Sequence, residues 1–78
     1  MRNRPSQYDK LSPRETEVLA FVVLCINVIG RAPTHREISD RIGIRSREFS
    51  ARLLRNLEAK GAIRLQPYKV RGIELAAA

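Results

Sequence analysis

The sequence predicts a mainly α domain that ends in a small β-hairpin, and three observations predict it. Capping signals open three segments of helical apolar spacing, at Ser12-Pro13-Arg14-Glu15, Thr34-His35-Arg36-Glu37 and Ser46. Glycines stop the same segments, at Gly30, Gly43 and Gly61. Beyond Gly61 the apolar period shortens to two, with Ile63 and Leu65, then Ile73 and Leu75, on either side of a loop containing Pro67.

Residues 1–10 are polar, basic and without periodicity, and read as a flexible arm. The first helix is expected from Pro13 to Ile29. Ser12 caps it, Pro13 occupies a first-turn position where its missing N–H costs nothing, and Glu15 completes a capping box. Val18, Phe21, Val22, Cys25, Ile26 and Ile29 form its core stripe. Thr34 and Glu37 open a second helix of about two turns, with Ile38 and Ile42 on its buried side. Ser46 caps a third that runs to about Lys60. A short helix, the turn Gly43-Ile44-Arg45 and a longer helix form a helix-turn-helix, with Ile44 plugging the angle. The hairpin follows, its loop opened by a proline that cannot donate to a ladder. Residues 11–75 therefore read as one three-helix winged helix-turn-helix domain, and 76–78 as a tail.

The chain has 78 residues, a formal charge of +7, one cysteine and one histidine. That length supports one domain with a small core. The charge favours a polyanionic partner, nucleic acid or an acidic membrane surface, over a merely solvated basic surface. A single cysteine, Cys25, forms no internal disulfide and reads as a buried thiol, and one histidine cannot anchor a metal cluster. The longest apolar run, Val18 to Ile26, is far too short to span a bilayer. No nucleophile–base pair, carboxylate dyad or ligand set is present, so neither an enzyme nor a cofactor is expected.

Projected at 100° per residue, the third helix gathers Phe49, Ser50, Leu53, Leu54 and Leu57 on a core arc. The opposite arc carries Arg47, Glu48, Ala51, Arg52 and Arg55. Such a face suits the DNA major groove: Arg forks onto guanine, Glu accepts from cytosine, and Ala lies against a thymine methyl. A solvated basic face explains that helix alone equally well, and the neighbouring elements tip the balance. Thr34, His35 and Arg36 lie at a helix start suited to phosphate. Arg45 in the turn, and Arg64, Lys69 and Arg71 of the wing, can meet the backbone. Tyr68 at the wing tip is a further candidate, although exposed loop aromatics are as common. Phe49 lies at the edge of the core arc, where packing is favoured over a base contact.

Together these stretches resemble the N-terminal DNA-binding domain of LexA repressors, almost throughout Leu11 to Leu75. The resemblance rests on Leu11-Ser12-Pro13-Arg14, Glu17-Val18, Pro33-Thr34, Glu37-Ile38, Gly43-Ile44-Arg45-Ser46, Leu54, Leu57, Lys60-Gly61-Ala62-Ile63 and Arg71-Gly72-Ile73-Glu74-Leu75. It implies a cytoplasmic bacterial regulator, on the nucleoid when bound, that occupies a palindromic operator as a dimer. It also implies base contacts from Ser46, Glu48, Phe49, Ala51 and Arg52. Of these, only Ser46 keeps the family's residue type, so the docking mode carries over and the operator does not. The chain stops before the self-cleaving domain of such repressors, as expected of an excised fragment or a small phage or mobile-element regulator.

The first helix departs from that pattern. Ala20, Val23, Leu24 and Val28 add a second apolar stripe, where such domains are largely polar. A helix apolar all round needs cover all round. A homodimer contact is expected there, a foreign protein or the folded-back arm with Tyr8 being the other candidates. Two further readings stand beside the repressor: a mobile-element architectural or recombination accessory protein, and a protein-interaction module using this stripe.

Overall fold

The computed structural model describes residues 11–67 and 69–76. The expectations for the arm at 1–10, for Tyr68 and for the end of the tail lie outside the described residues. Helix α1 spans Pro13–Leu24, α2 His35–Ile42 and α3 Arg47–Ala59, followed by strands β1 (Ile63–Leu65) and β2 (Ile73–Leu75). The strands pair antiparallel, with Ile63 opposite Leu75 and Leu65 opposite Ile73. This is the expected three-helix winged helix-turn-helix.

Both capping boxes form. The Ser12 hydroxyl accepts from the Glu15 N–H at 3.1 Å, and the Glu15 carboxylate accepts from the Ser12 N–H at 2.9 Å. Thr34 and Glu37 repeat the exchange at 3.1 and 2.8 Å. These boxes satisfy donors that every helix start leaves unpaired. At the other end of α2, Gly43 takes φ 74°, a left-handed conformation that side chains with a Cβ resist.

Helix α1 differs from expectation in its last turn. Cys25–Ile29 wind as a π-helix, closed by a bond from the Gly30 N–H to the Cys25 carbonyl at 2.9 Å. Val18, Val22 and Cys25 are buried as expected, and Phe21 and Ile26 are half-buried. Ile29 is not in the core: it is 62% exposed. The wider turn breaks the α-helical rotation from which its placement had been projected.

The core joins Val18 and Val22 of α1, Ile38 and Ile42 of α2, Leu53, Leu54 and Leu57 of α3, and Ile63 and Ile73 of the strands. Ile44 packs half-buried against this cluster, as a plug in the turn should. Ser50 is fully buried, and its hydroxyl lies 2.7 Å from that of Ser39. Two small hydroxyls there let α2 and α3 approach closely without leaving either polar group unpaired. The Arg14 guanidinium donates to the Ile42 carbonyl at 3.0 Å, which ties the start of α1 to the end of α2. No helix among the described residues is long and apolar enough to cross a membrane.

Candidate nucleic-acid interface

The start of α3 is set by Ser46, whose hydroxyl accepts from the Phe49 N–H at 3.1 Å. Burial of Ser50, Leu53, Leu54 and Leu57 on one side turns Arg47, Glu48, Arg52 and Arg55 outward, and all four are exposed. Ala51 is half-buried beside them. Phe49 is 36% exposed and joins this outer surface instead of the core, contrary to the packing expected from its arc. Its position at the edge of the arc left both outcomes open.

Two open recesses flank α3. The first, about 460 Å³, lies between α2 and the helix-turn-helix turn and gathers His35, Arg36, Ser39, Asp40, Ile44, Arg45 and Arg47. The second, about 490 Å³, lies between α3 and the wing and brings Ala51, Arg55, Glu58, Gln66, Pro67 and Lys69 around His35. His35 borders both. The elements expected to act together are therefore adjacent in space, and the sole histidine of the chain stands at their junction. Arg64 is exposed on β1, in register with Glu74 of β2, and borders neither recess.

The wing is held tightly. The Gln66 N–H donates to the Gly72 carbonyl at 2.7 Å, the Gln66 amide meets the Glu74 carboxylate, and the Leu65 N–H donates to the Glu58 carboxylate at 3.0 Å. A Cβ at Gly72 would drive into the Gln66 carbonyl oxygen and the Lys69 side chain, so the turn requires glycine. Lys69 stays exposed at the loop.

Arg71 has a structural role beside the expected one. Its guanidinium grips the Glu37 carboxylate with two bonds, at 2.9 and 3.3 Å, and the Ala32 carbonyl at 2.8 Å. These bonds join the wing to α2 and use three of the five guanidinium donors, so a backbone contact stays compatible with them. Arg71, then the Thr34 N–H, pull the Glu37 carboxyl down to a pKa of about 2. Capping takes the N–H groups of Thr34 and Glu37, and leaves those of His35 and Arg36 without a partner among the described residues.

Sequence reasoning overlooked Asp40, an acid within the first recess, and Gln66 and Pro67 at the second. The helical spacing from Arg36 to Asp40 could have found the first. The other two depend on how the hairpin folds back.

A family model, the LexA DNA binding domain, matches residues 8–72. The chain is similar to LexA repressors of Pseudomonas chlororaphis (39% identity over 66 residues) and Dechloromonas aromatica strain RCB (42% over 66 residues). A LexA repressor of Pseudomonas aeruginosa strain LESB58 is 38% identical over 66 residues. Each match covers 85% of this chain and 32 to 33% of the relative, so the chain spans about a third of the length of these relatives. With the helix-turn-helix, the wing and that match in register, the chain belongs to the LexA DNA-binding domain family.

Proposed function

We propose that this chain binds duplex DNA sequence-specifically and acts as a transcriptional repressor by occupying an operator, with no chemistry of its own. The observation that carries this reading is the outward face of α3, where Arg47, Arg52 and Arg55 stand between the α2 recess and the wing recess. In this reading α3 enters the major groove. Arg47, Arg52 and Arg55 fork onto guanines, Glu48 accepts from cytosine N4, and Ser46, Phe49 and Ala51 meet base edges and methyls. Thr34, His35, Arg36, Arg45, Arg64 and Lys69 hold the phosphates, fixing register without reading sequence. Arg71 joins them at the backbone while anchoring the wing to α2.

Two copies joined along Ala20, Val23, Leu24 and Val28 of α1 would impose two-fold symmetry, and hence a palindromic operator. Such a protein works in the bacterial cytoplasm, on the nucleoid when bound. Selection of bound sequences from a random DNA pool tests the reading. A palindromic motif should emerge, and affinity for it should fall log-linearly with salt between about 50 and 200 mM. A pool that never enriches, or salt-indifferent binding, overturns it.

A further inference from the structure

A third recess, about 430 Å³, lies on the other flank of α2, beside the π-turn of α1. Its size falls within the range of about 300–1,000 Å³ typical of small-molecule sites. Its floor is apolar: Phe21, Cys25, Ile29, Ala32 and Pro33. Of the stripe Ala20, Val23, Leu24 and Val28, none lines the recess, which adjoins that stripe at Ile29.

The rim is charged and unbalanced. Glu37 is already neutralised by Arg71. Arg31 and Arg41 are exposed; the Arg31 charge acts on the Glu37 carboxyl already gripped by Arg71, and Arg41 lies 5.4 Å over the Phe21 ring. Asp40 is the one remaining acid among the lining residues.

We propose that this recess binds a small amphipathic organic anion, an alkyl or aryl carboxylate. Its tail lies against Phe21, Cys25 and Pro33, and its head meets Arg31 and Arg41. An apolar floor rewards the tail, and a net-positive rim favours a carboxylate over a neutral or cationic head. Asp40 borders both this recess and the first one, so a ligand here lies one helix away from the DNA-facing side.

Titration of octanoate into ¹⁵N-labelled protein, followed by amide shifts, tests this. Acetate and octanol serve as probes that keep only the head or only the tail. Saturable shifts are expected around Cys25, Arg31 and Arg41, with octanoate at least tenfold tighter than either control. The R31Q/R41Q double variant should keep the parent spectrum and bind octanoate at least tenfold more weakly. Should that variant lose structure, R31Q alone, at an exposed position, should weaken octanoate in the same direction. Shifts centred on α3, equal affinity for octanol, or undiminished binding by the folded variant would overturn the proposal. So would recess shifts that appear on raising protein concentration without octanoate, which would assign the surface to a second copy.

Discussion

A carboxylate in the first turn of a helix is ordinary, but one only 4% exposed must be paired, because an unpaired charge out of water costs several kcal/mol. Glu15 is such a group. Beyond its capping role it accepts from Lys60 Nζ at 2.7 Å and Asn56 Nδ2 at 3.2 Å, joining the start of α1 to the end of α3. The Lys60 bond, then the Ser12 N–H, hold its carboxyl below the usual value. Glu15→Ala should cost about 2–3 kcal/mol in urea unfolding, by removing a cap and the bonds from Lys60 and Asn56. Glu15→Gln, which can still accept from Ser12, should cost less. Equal losses would show that the retained acceptor contributes nothing and that the charge carries the whole effect.

Glu37 extends the argument to the surface. Its folded pKa of about 2 lies below the ordinary 4.5, so the charged form stabilises the native state. That contribution is fully present above about 4.5 and is lost as pH falls toward about 2. In Glu37→Gln, and to a smaller extent in Arg71→Met, which keeps the Thr34 N–H bond, the acid limb of a helicity-against-pH curve should flatten over that window. An unchanged limb in both variants would show that the Arg71–Glu37 pair does not persist in solution.

At the scale of elements, α3 and the wing carry different duties, and two variants separate them. Arg52 is exposed on the outer arc of α3, so Arg52→Ala should relax preference at one base position, at a cost of roughly 1–3 kcal/mol on the preferred site. Lys69 is exposed in the wing loop, so Lys69→Ala should weaken all sequences alike and lower the salt slope by about one. Competition binding against single-position operator variants reads both. A uniform loss in Arg52→Ala, with base preference intact, would remove α3 from the major groove.

The whole molecule presents one large apolar surface that its own described residues do not cover. Leu24 is 44% and Val28 72% exposed, and Ile29 adds to the patch where the core had been expected to take it. Burying a fully exposed Val or Leu contributes about 1.5–3 kcal/mol before the cost of association; Val28 would gain most of that, and Leu24 and the half-buried Val23 less. The uncharged run from Val18 to Gly30 lets two α1 helices pair without bringing like charges together, in a molecule of net charge +7. Sedimentation should therefore find the parent dimeric at micromolar concentration and Leu24→Glu monomeric but folded. A monomeric parent, or a mutant still dimeric, excludes this interface.

What the sequence by itself determined is what depends on neighbours within four or five residues. Capping boxes, glycine stops, the order of helices and hairpin, and the outward set on α3 all belong here, because their partners are covalently near. Tertiary structure alone decided what joins distant segments. Arg71 finds Glu37 across 34 residues, and Lys60 finds Glu15 across 45. A sequence shows that an arginine carries five donors but not which carboxylate the fold will bring to it, so the clamp from Arg71 to Glu37 was not legible. Ile29 was misplaced for a related reason. Periodicity assigns a direction around a regular helix, but it does not register a turn that widens to π.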